Sequence, residues 1–323
     1  MSTARESTVP VFGSLAEVPA GYGPSVAAIG NFDGVHCGHR EILSAVIREA
    51  RERNARAIAI TFDPHPEHVL RPAQAPRLLT PLAERIRLLS ETGVDAILAL
   101  PFDRTLAGLT AREFVEQILV GALGIRGIHE GQSFRFGRGA AAGIRELTEF
   151  GAEFGFGVHV HPALCVRGLE VSSSAIRAHI AAGDMRRARW MLGRPFVVLS
   201  TPAHGRGIGT KLLVPTVNLA TYDGQLPAFG VYVTRLTIRG RVFESVTNVG
   251  NRPTFGEASF AVESHILNFE PVDLNEATSL ELEFFIKLRG EIKFPSPDAL
   301  RQQILRDVAR AERYFRLMGR MLR

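Results

Sequence analysis

Apolar and polar positions divide the chain into two stretches of different rhythm. Up to about residue 185, continuous apolar runs alternate with helical spacing. Ser25-Val26-Ala27-Ala28-Ile29 suits a buried parallel strand, and Ile42, Leu43, Val46, Ile47 and Ala50 then mark one face of a helix. Ala57 to Phe62 is a second buried strand, ended by Asp63-Pro64-His65-Pro66. Leu82, Ile86 and Leu89 mark a helix, and Asp95 to Leu100 a further strand. Thr110 and Glu113 form a capping-box pattern ahead of Phe114, Ile118 and Leu119. Short strands are expected before Gly131 and over Val158-His159-Val160. This rhythm implies βαβ units and an α/β fold with a doubly wound parallel sheet. Ligands of such sheets bind outside the carboxyl ends of the strands.

After Leu192-Gly193-Arg194-Pro195 the pattern changes. Val231 to Ile238 alternates, turns at Arg239-Gly240 and returns through Val242 to Val249. Glu263 to Phe269 and Leu280 to Ile286 are further strands, with no helix between them. The expectation is an antiparallel β-barrel closed by a terminal helix. That helix starts at Ser296-Pro297, serine as cap and proline in the first turn, with Leu300, Ile304, Val308 and Ala311 on one face. Two domains follow, 1–190 and 191–323, with no internal repeat.

Composition narrows the class. The 323 residues are 46% hydrophobic and 22% charged, enough for two cored domains. The formal charge of +5 suits anionic substrates, but a solvated surface with excess arginine accounts for it. No lysine-rich block or aromatic ladder points to nucleic acid. Cys37 and Cys165 are too few for a disulfide framework or a cysteine zinc site, and nothing near Cys37 resembles a cysteine–histidine catalytic pair. Residues 1–9 are polar, and no apolar stretch reaches the roughly 20 residues that span a bilayer. A cytoplasmic protein acting on small molecules is expected, with no membrane partner.

The most informative stretch is Ile29-Gly30-Asn31-Phe32-Asp33-Gly34-Val35-His36-Cys37-Gly38-His39, at a strand-to-helix junction. Backbone N–H groups at a helix N-terminus favour polyphosphate. Gly34 and Gly38 let the backbone approach, while His36 and His39 add donors near a phosphorus centre. Asp33 either orients a histidine or caps the turn.

These pieces resemble the bacterial bifunctional riboflavin kinase/FMN adenylyltransferase (FAD synthetase) family over nearly the whole chain. The first half carries Gly30 to His39, Thr61-Phe62-Asp63-Pro64-His65-Pro66, Phe134-Arg135-Phe136-Gly137 and Val171-Ser172-Ser173-Ser174-Ala175-Ile176-Arg177 in family order. The second carries His204-Gly205-Arg206-Gly207-Ile208-Gly209, Val214-Pro215-Thr216-Val217-Asn218-Leu219, Gly230-Val231-Tyr232, Asn248 to Gly256 and Val262-Glu263-Ser264-His265. Two departures stand out. Ser133 replaces the family's usual acidic or amide residue, and Leu212-Leu213-Val214 replaces Leu-Gly-Phe, putting a Cβ where the family has none.

The resemblance implies two ATP-dependent reactions, riboflavin to FMN and FMN to FAD, with Mg²⁺ as cofactor. In the first half it implies ATP and phosphate contacts from Gly30, Phe32, Gly34, His36, His39, His65, Ser173 and Arg177. The serines also read as helix caps, and Arg177 also reads as a surface ion pair. Phe62 and Phe134 are candidate flavin contacts, although alternation makes them core residues. In the second half Glu263 matches the base that accepts the riboflavin 5′-hydroxyl proton, and it also reads as an exposed strand glutamate. Thr216 and Asn218, two apart on a strand, offer a hydroxyl and an amide oxygen to Mg²⁺. Gly205, Gly207 and Gly209 suit a phosphate loop, and Arg252 a nucleotide or flavin contact. The rival expectation is an FMN adenylyltransferase whose second domain only binds flavin.

Overall fold

The computed structural model describes residues 9–203, 216–220, 222–251, 260–268, 270, 272 and 274–321. It divides into two compact units, Met1–Ser173 and Ser174–Arg323.

In the first unit the strands are β1 (Val11–Phe12), β2 (Ser25–Ile29), β3 (Arg56–Asp63), β4 (Ala96–Pro101), β5 (Ile125–Gly131) and β6 (Gly157–His161), with a small hairpin, β7 (Cys165–Val166) and β8 (Leu169–Glu170). The helices are α1 (Cys37–Glu52), α2 (Pro66–Leu70), α3 (Leu82–Ser90), α4 (Arg104–Gly108), α5 (Ala111–Phe114) and α6 (Ile144–Phe154). The capping box forms at Thr110 and Glu113, and α5 widens into a π-helical stretch, Val115–Ala122. The main sheet is parallel, in the order β1-β4-β3-β2-β5-β6. Strand alternation serves both faces. Val26, Ala28, Ala57 and Ala59 pack with Leu43, Val46 and Ala50 of α1 and with Leu88 and Leu89 of α3. Ala27, Ile29, Ile58 and Ile60 pack on the other face with Phe114, Ile118, Leu119 and Leu147. From β2 the chain builds towards β3 and β4 on one side, then returns to add β5 on the other. The β2–β5 boundary is therefore the switch point where α/β sheets take their ligands.

The second unit begins within α7 (Ser173–Ala181), continues through α8 (Met185–Leu192), and holds β9 (Phe196–Ser200), β10 (Thr216–Asn218), β11 (Gly230–Ile238), β12 (Arg241–Asn251), β13 (Phe260–Ile266), β14 (Leu280–Arg289) and α9 (Pro297–Met321). Its antiparallel sheet runs β10-β13-β12-β11-β14-β9, and α8 packs on β14 and β9. The edges meet beyond β9 and β10. Ala203 N–H donates to Asn218 O (2.8 Å), Ala220 N–H to Thr201 O (2.8 Å), and Pro202 bridges Leu219. This contact brings the two edges of the antiparallel half-barrel together. On its inner face Thr234, Ser245, Thr247 and Ser264 are fully buried and satisfy one another in a hydroxyl cluster.

Three local expectations change. The strand through Glu263 spans Phe260–Ile266, so it begins earlier and ends sooner than Glu263 to Phe269. The core side of α3 carries Glu84 and Arg85 as well as Leu88 and Leu89. On α9, Ala311 is buried and Val308 packs on the barrel, but Leu300 and Ile304 are exposed rather than core. Those two line a cavity instead.

Candidate active sites

The glycine–histidine motif lies at the carboxyl end of β2, beside the switch point. Phe32 and Val35 adopt left-handed backbone conformations (φ 46° and 35°), as does Gly34 (φ 87°), so the chain reverses tightly between β2 and α1. Non-glycine residues hold such angles only when their surroundings enforce them. Here the surroundings do. Phe32 and Val35 are buried in the core under α1, and Gly34 N–H donates to Thr80 Oγ1 (2.9 Å). The Asp33 carboxylate accepts from Leu79 N–H, Thr80 N–H and the Thr80 hydroxyl. Asp33 thus anchors the motif loop to Leu79 and Thr80, a long-range role beyond the two alternatives open from sequence. Ser173 Oγ donates to Asp33 O (2.8 Å), tying a second motif residue to the first loop.

His36 is the N-cap of α1, and its Nδ1 accepts from His39 N–H (3.2 Å). An accepting Nδ1 leaves the proton of the neutral ring on Nε2, the tautomer able to donate to a phosphate oxygen. The His36 and His39 rings stack at 3.5 Å, 14° from parallel. Gly38 makes this possible, since a Cβ there would sit 3.3 Å from the His36 ring. Burial pushes His39 well below the ordinary imidazole value, and the neighbouring His36 adds to the shift. The His39 Nδ1 is buried without a hydrogen-bond partner. A neutral His39 beside the His36 cap at a helix N-terminus makes a site that attracts an anion through donors and dipole.

The other predicted residues of this unit take varied places. Gly30 N–H donates to Ile60 O (3.0 Å), within the loop's backbone frame. The Phe32 side chain is core and meets His39 edge-on at 5.1 Å, so only its backbone faces the loop's ligand side. His65 is buried and caps α2 through Nδ1, which accepts from Glu67 N–H. Phe62 packs on Phe102, and Phe134 stacks on the buried Phe136 at 5.4 Å, both partly exposed at the core edge. Ser133 is exposed. Arg177 is half-buried on α7.

Sequence reasoning missed two charged residues beneath this loop. Arg85 has no exposed surface, and its Nη1 donates to Asn31 O (2.8 Å), Phe62 O (3.1 Å) and Thr61 Oγ1 (3.2 Å). It clips the motif loop to the end of β3. The signal was present: Arg85 sits three residues from Leu82 and from Leu88, a charge on an apolar helix face. Glu130 is buried and accepts from Ile29 N–H at 2.6 Å, and burial lifts its carboxyl well above the usual range.

The second unit holds a cavity of about 630 Å³ between the outer face of the barrel and α9. Strand register sets its polar wall. Glu263 on β13 stands between Asn218 on β10 and Asn248 on β12, and His265 stands between Thr216 and Val246. Period-two alternation puts Glu263 and His265 on the cavity face and Val262 and Ser264 on the buried one. Leu300 and Ile304 supply an apolar wall, and Arg289, locked to the buried Asp307 at 2.8 Å, closes one end. Asn218 Oδ1 is buried without a hydrogen-bond partner. Burial lowers the His265 imidazole pKa, so a neutral ring faces the cavity. Gly205, Gly207, Gly209, Arg252 and Leu212-Leu213-Val214 lie outside the described residues.

Comparison with known proteins finds a match for each half of the chain. The profile described as FAD synthetase matches residues 20–175, and that described as riboflavin kinase matches 192–315. The chain is 35% identical over 293 residues to the bifunctional riboflavin kinase/FMN adenylyltransferase of Escherichia coli K12, covering 90% of this chain and 93% of that protein. The Pseudomonas fluorescens protein of the same name is 37% identical over 287 residues, with 88% and 91% covered. Among solved structures, a Streptococcus pneumoniae chain named as a macrolide-efflux protein superposes with a TM-score of 0.83 at 27% identity, covering 94% of this chain and 98% of that one. Among the described residues here, no helix is long and apolar enough to cross a membrane.

Proposed function

Because this chain belongs to the bifunctional riboflavin kinase/FMN adenylyltransferase family, we propose a division of labour in which residues 1–190 adenylylate FMN and residues 191–323 phosphorylate riboflavin. The enzyme transfers a phosphoryl group from ATP to riboflavin, giving FMN, and an adenylyl group from ATP to FMN, giving FAD and pyrophosphate. ATP, riboflavin and FMN are its small-molecule substrates. The profile matches at 20–175 and 192–315 support the division. The reading of a second domain that only binds flavin is not favoured, because the relatives carry both activities in their names and a riboflavin kinase profile matches residues 192–315. A cytoplasmic location goes with this reading.

The observation that carries the kinase assignment is Glu263 and Asn248 on the wall of a cavity with an apolar opposite side, with Asn218 in register beside Glu263 on β10. An isoalloxazine ring suits the Leu300 and Ile304 wall, and the ribityl 5′-hydroxyl then lies towards Glu263. Glu263 accepts that hydroxyl's proton as the oxygen attacks the γ-phosphorus. The unpartnered Asn218 Oδ1 fits Mg²⁺, a hard ion that takes oxygen ligands, and the Thr216 hydroxyl is the second ligand on the same strand face. The ion supplies charge neutralisation on the transferring phosphates.

In the adenylylation site the α-phosphate of ATP lies at the N-terminus of α1. The His36 and His39 imidazoles donate to its oxygens as the FMN phosphate attacks in line and pyrophosphate leaves. Such transfer needs positioning and charge stabilisation rather than a covalent intermediate. Gly30, Gly34 and the Phe32 backbone shape the approach, and His65, Ser173 and Arg177 contact the leaving phosphates. Phe62 and Phe134 border the flavin. By the family resemblance, Gly205, Gly207 and Gly209 contact phosphate and Arg252 the nucleotide or flavin in the kinase reaction.

Chromatographic separation of flavins tests both assignments. With riboflavin and Mg²⁺-ATP, Glu263→Gln is expected to lose FMN formation by at least about 100-fold while still converting supplied FMN to FAD. The double variant His36→Ala, His39→Ala is expected to do the reverse. Retained phosphorylation in the first variant, or retained adenylylation in the second, removes that assignment.

A further inference from the structure

Away from the motif loop, α1 contributes to a second polar cluster. Its Glu49 is buried against β5 and β6, where Glu49 Oε2 meets His129 Nε2 at 2.6 Å and His159 Nε2 at 3.0 Å. One ligand-capable atom from each of the three residues lies within 4.8 Å of the others. The two imidazole rings stand face to face, 4.6 Å apart and 20° from parallel, both presenting Nε2 to the same carboxylate oxygen. His129 and His159 are register partners on adjacent parallel strands, so the backbone itself holds this spacing.

We propose that Glu49, His129 and His159 form a binding site for one divalent transition cation of the zinc class. Two imidazoles and a carboxylate are a donor set such ions accept, leaving a further position for water. Around zinc, with bonds of about 2.0–2.2 Å, tetrahedral ligand atoms stand about 3.4 Å apart. The two carboxylate–imidazole separations, 2.6 and 3.0 Å, need to open by less than about 1 Å to reach that value. The 2.6 Å separation opens by a shift of the Glu49 carboxylate, and His159, half exposed, rotates to match.

The surroundings are built as a ligand shell requires. His161 Nε2 lies 2.9 Å from His129 Nδ1, so a cation on His129 Nε2 leaves Nδ1–H donating to His161. Metal-bound histidines almost always have such an outer partner. The Arg53 Nε lies 2.6 Å from Glu49 Oε1 and holds the carboxylate's other oxygen. Gly127 makes room for the carboxylate, since a Cβ there would lie 2.5 Å from Glu49 Oε1. Glu49 is thirteen residues along α1 from His36, about 20 Å at helical rise, so the site is separate from the phosphate-binding loop. A cation there clasps α1 to β5 and β6.

The test uses the full-length protein, stripped with a chelator and returned to buffer containing excess Mg²⁺. Zn²⁺ titrated by calorimetry is expected to bind once per chain, and Co²⁺ in its place to give visible d–d absorption. His159→Ala, a change at a half-exposed position, is expected to weaken Zn²⁺ binding at least about 100-fold and remove the Co²⁺ bands. Glu49→Gln should do the same, and His161→Ala should weaken binding about 10- to 100-fold. The double variant His36→Ala, His39→Ala should leave the site intact. Zn²⁺ should also raise Tm in the parent protein and not in His159→Ala. Absence of Zn²⁺ binding under excess Mg²⁺, or binding unchanged in a folded His159→Ala, overturns the proposal.

Discussion

Replacing Arg85 by methionine would remove a guanidinium that has no exposed surface. Three acceptors lose their donor: Asn31 O in the motif loop, and Phe62 O and Thr61 Oγ1 at the end of β3. Hydrogen bonds from a charged donor contribute about 1.5–3 kcal/mol each, so the gross loss is roughly 4–9 kcal/mol. Part is offset, because burial of the guanidinium is unfavourable. Desolvation lowers its pKa, opposed by Asp33 and Asp63, and its Nε and Nη2 lack hydrogen-bond partners. Breaking a buried charged set by removing one member costs about 3–5 kcal/mol net. In a unit of this size each kcal/mol moves Tm by about 2–4 °C, so a fall of roughly 6–20 °C is expected. Thermal unfolding followed by circular dichroism reads that fall. Separate assays of the two reactions should show adenylylation lost and riboflavin phosphorylation kept at temperatures where the second unit stays folded. Arg85→Lys should rescue little, since an ammonium cannot span the three acceptors. A Tm within about 2 °C of the parent, with adenylylation intact, would refute the claim that Arg85 pins the loop.

Asp33→Ala strips Leu79 and Thr80 of their buried acceptor and should cost about 2–4 kcal/mol, read by urea unfolding, with Asp33→Asn milder because one oxygen remains. His39 has a folded pKa depressed by burial, so below pH 6.5 the unfolded chain takes up a proton that the folded one refuses. Its contribution to stability is therefore complete above pH 6.5 and falls as pH drops, by up to about 1.4 kcal/mol per pH unit. His39→Gln should remove that part of the slope in denaturation series from pH 5 to 7. Thr247→Val breaks the barrel's inner hydroxyl chain to Thr234 and Ser264 and should destabilise the second unit by about 1–3 kcal/mol in the same assay. Asn218→Ala should raise the Mg²⁺ concentration needed for half-maximal phosphorylation while leaving adenylylation unchanged, and an unaltered requirement would exclude Asn218 as a ligand.

Much of both sites was legible because their signals are local. Strand, glycine turn and helix cap follow each other within eleven residues from Ile29 to His39, and that order alone locates an anion site. Period-two alternation on the strand through Glu263 turns Val262 and Ser264 the other way, and both are buried. The role of Asp33 could not be read, because its partners Leu79 and Thr80 are more than forty residues away. Leu300 and Ile304 share a face with Val308 and Ala311 in the pattern, but periodicity does not report whether protein or a cavity meets that face.

By itself the sequence determined the alternation of strand and helix, the change to an antiparallel barrel, and the two motif sets that identify a flavin-cofactor enzyme. These depend on spacing between near neighbours, where backbone geometry leaves few choices. Only the tertiary structure decided which charges are buried and whom they meet. Arg85 beneath the motif loop and Glu49 facing His129 and His159 are pairings across tens of residues, made by sheet order and helix packing. Burial then sets their energetics, because a charge taken from water must find its partners inside the fold.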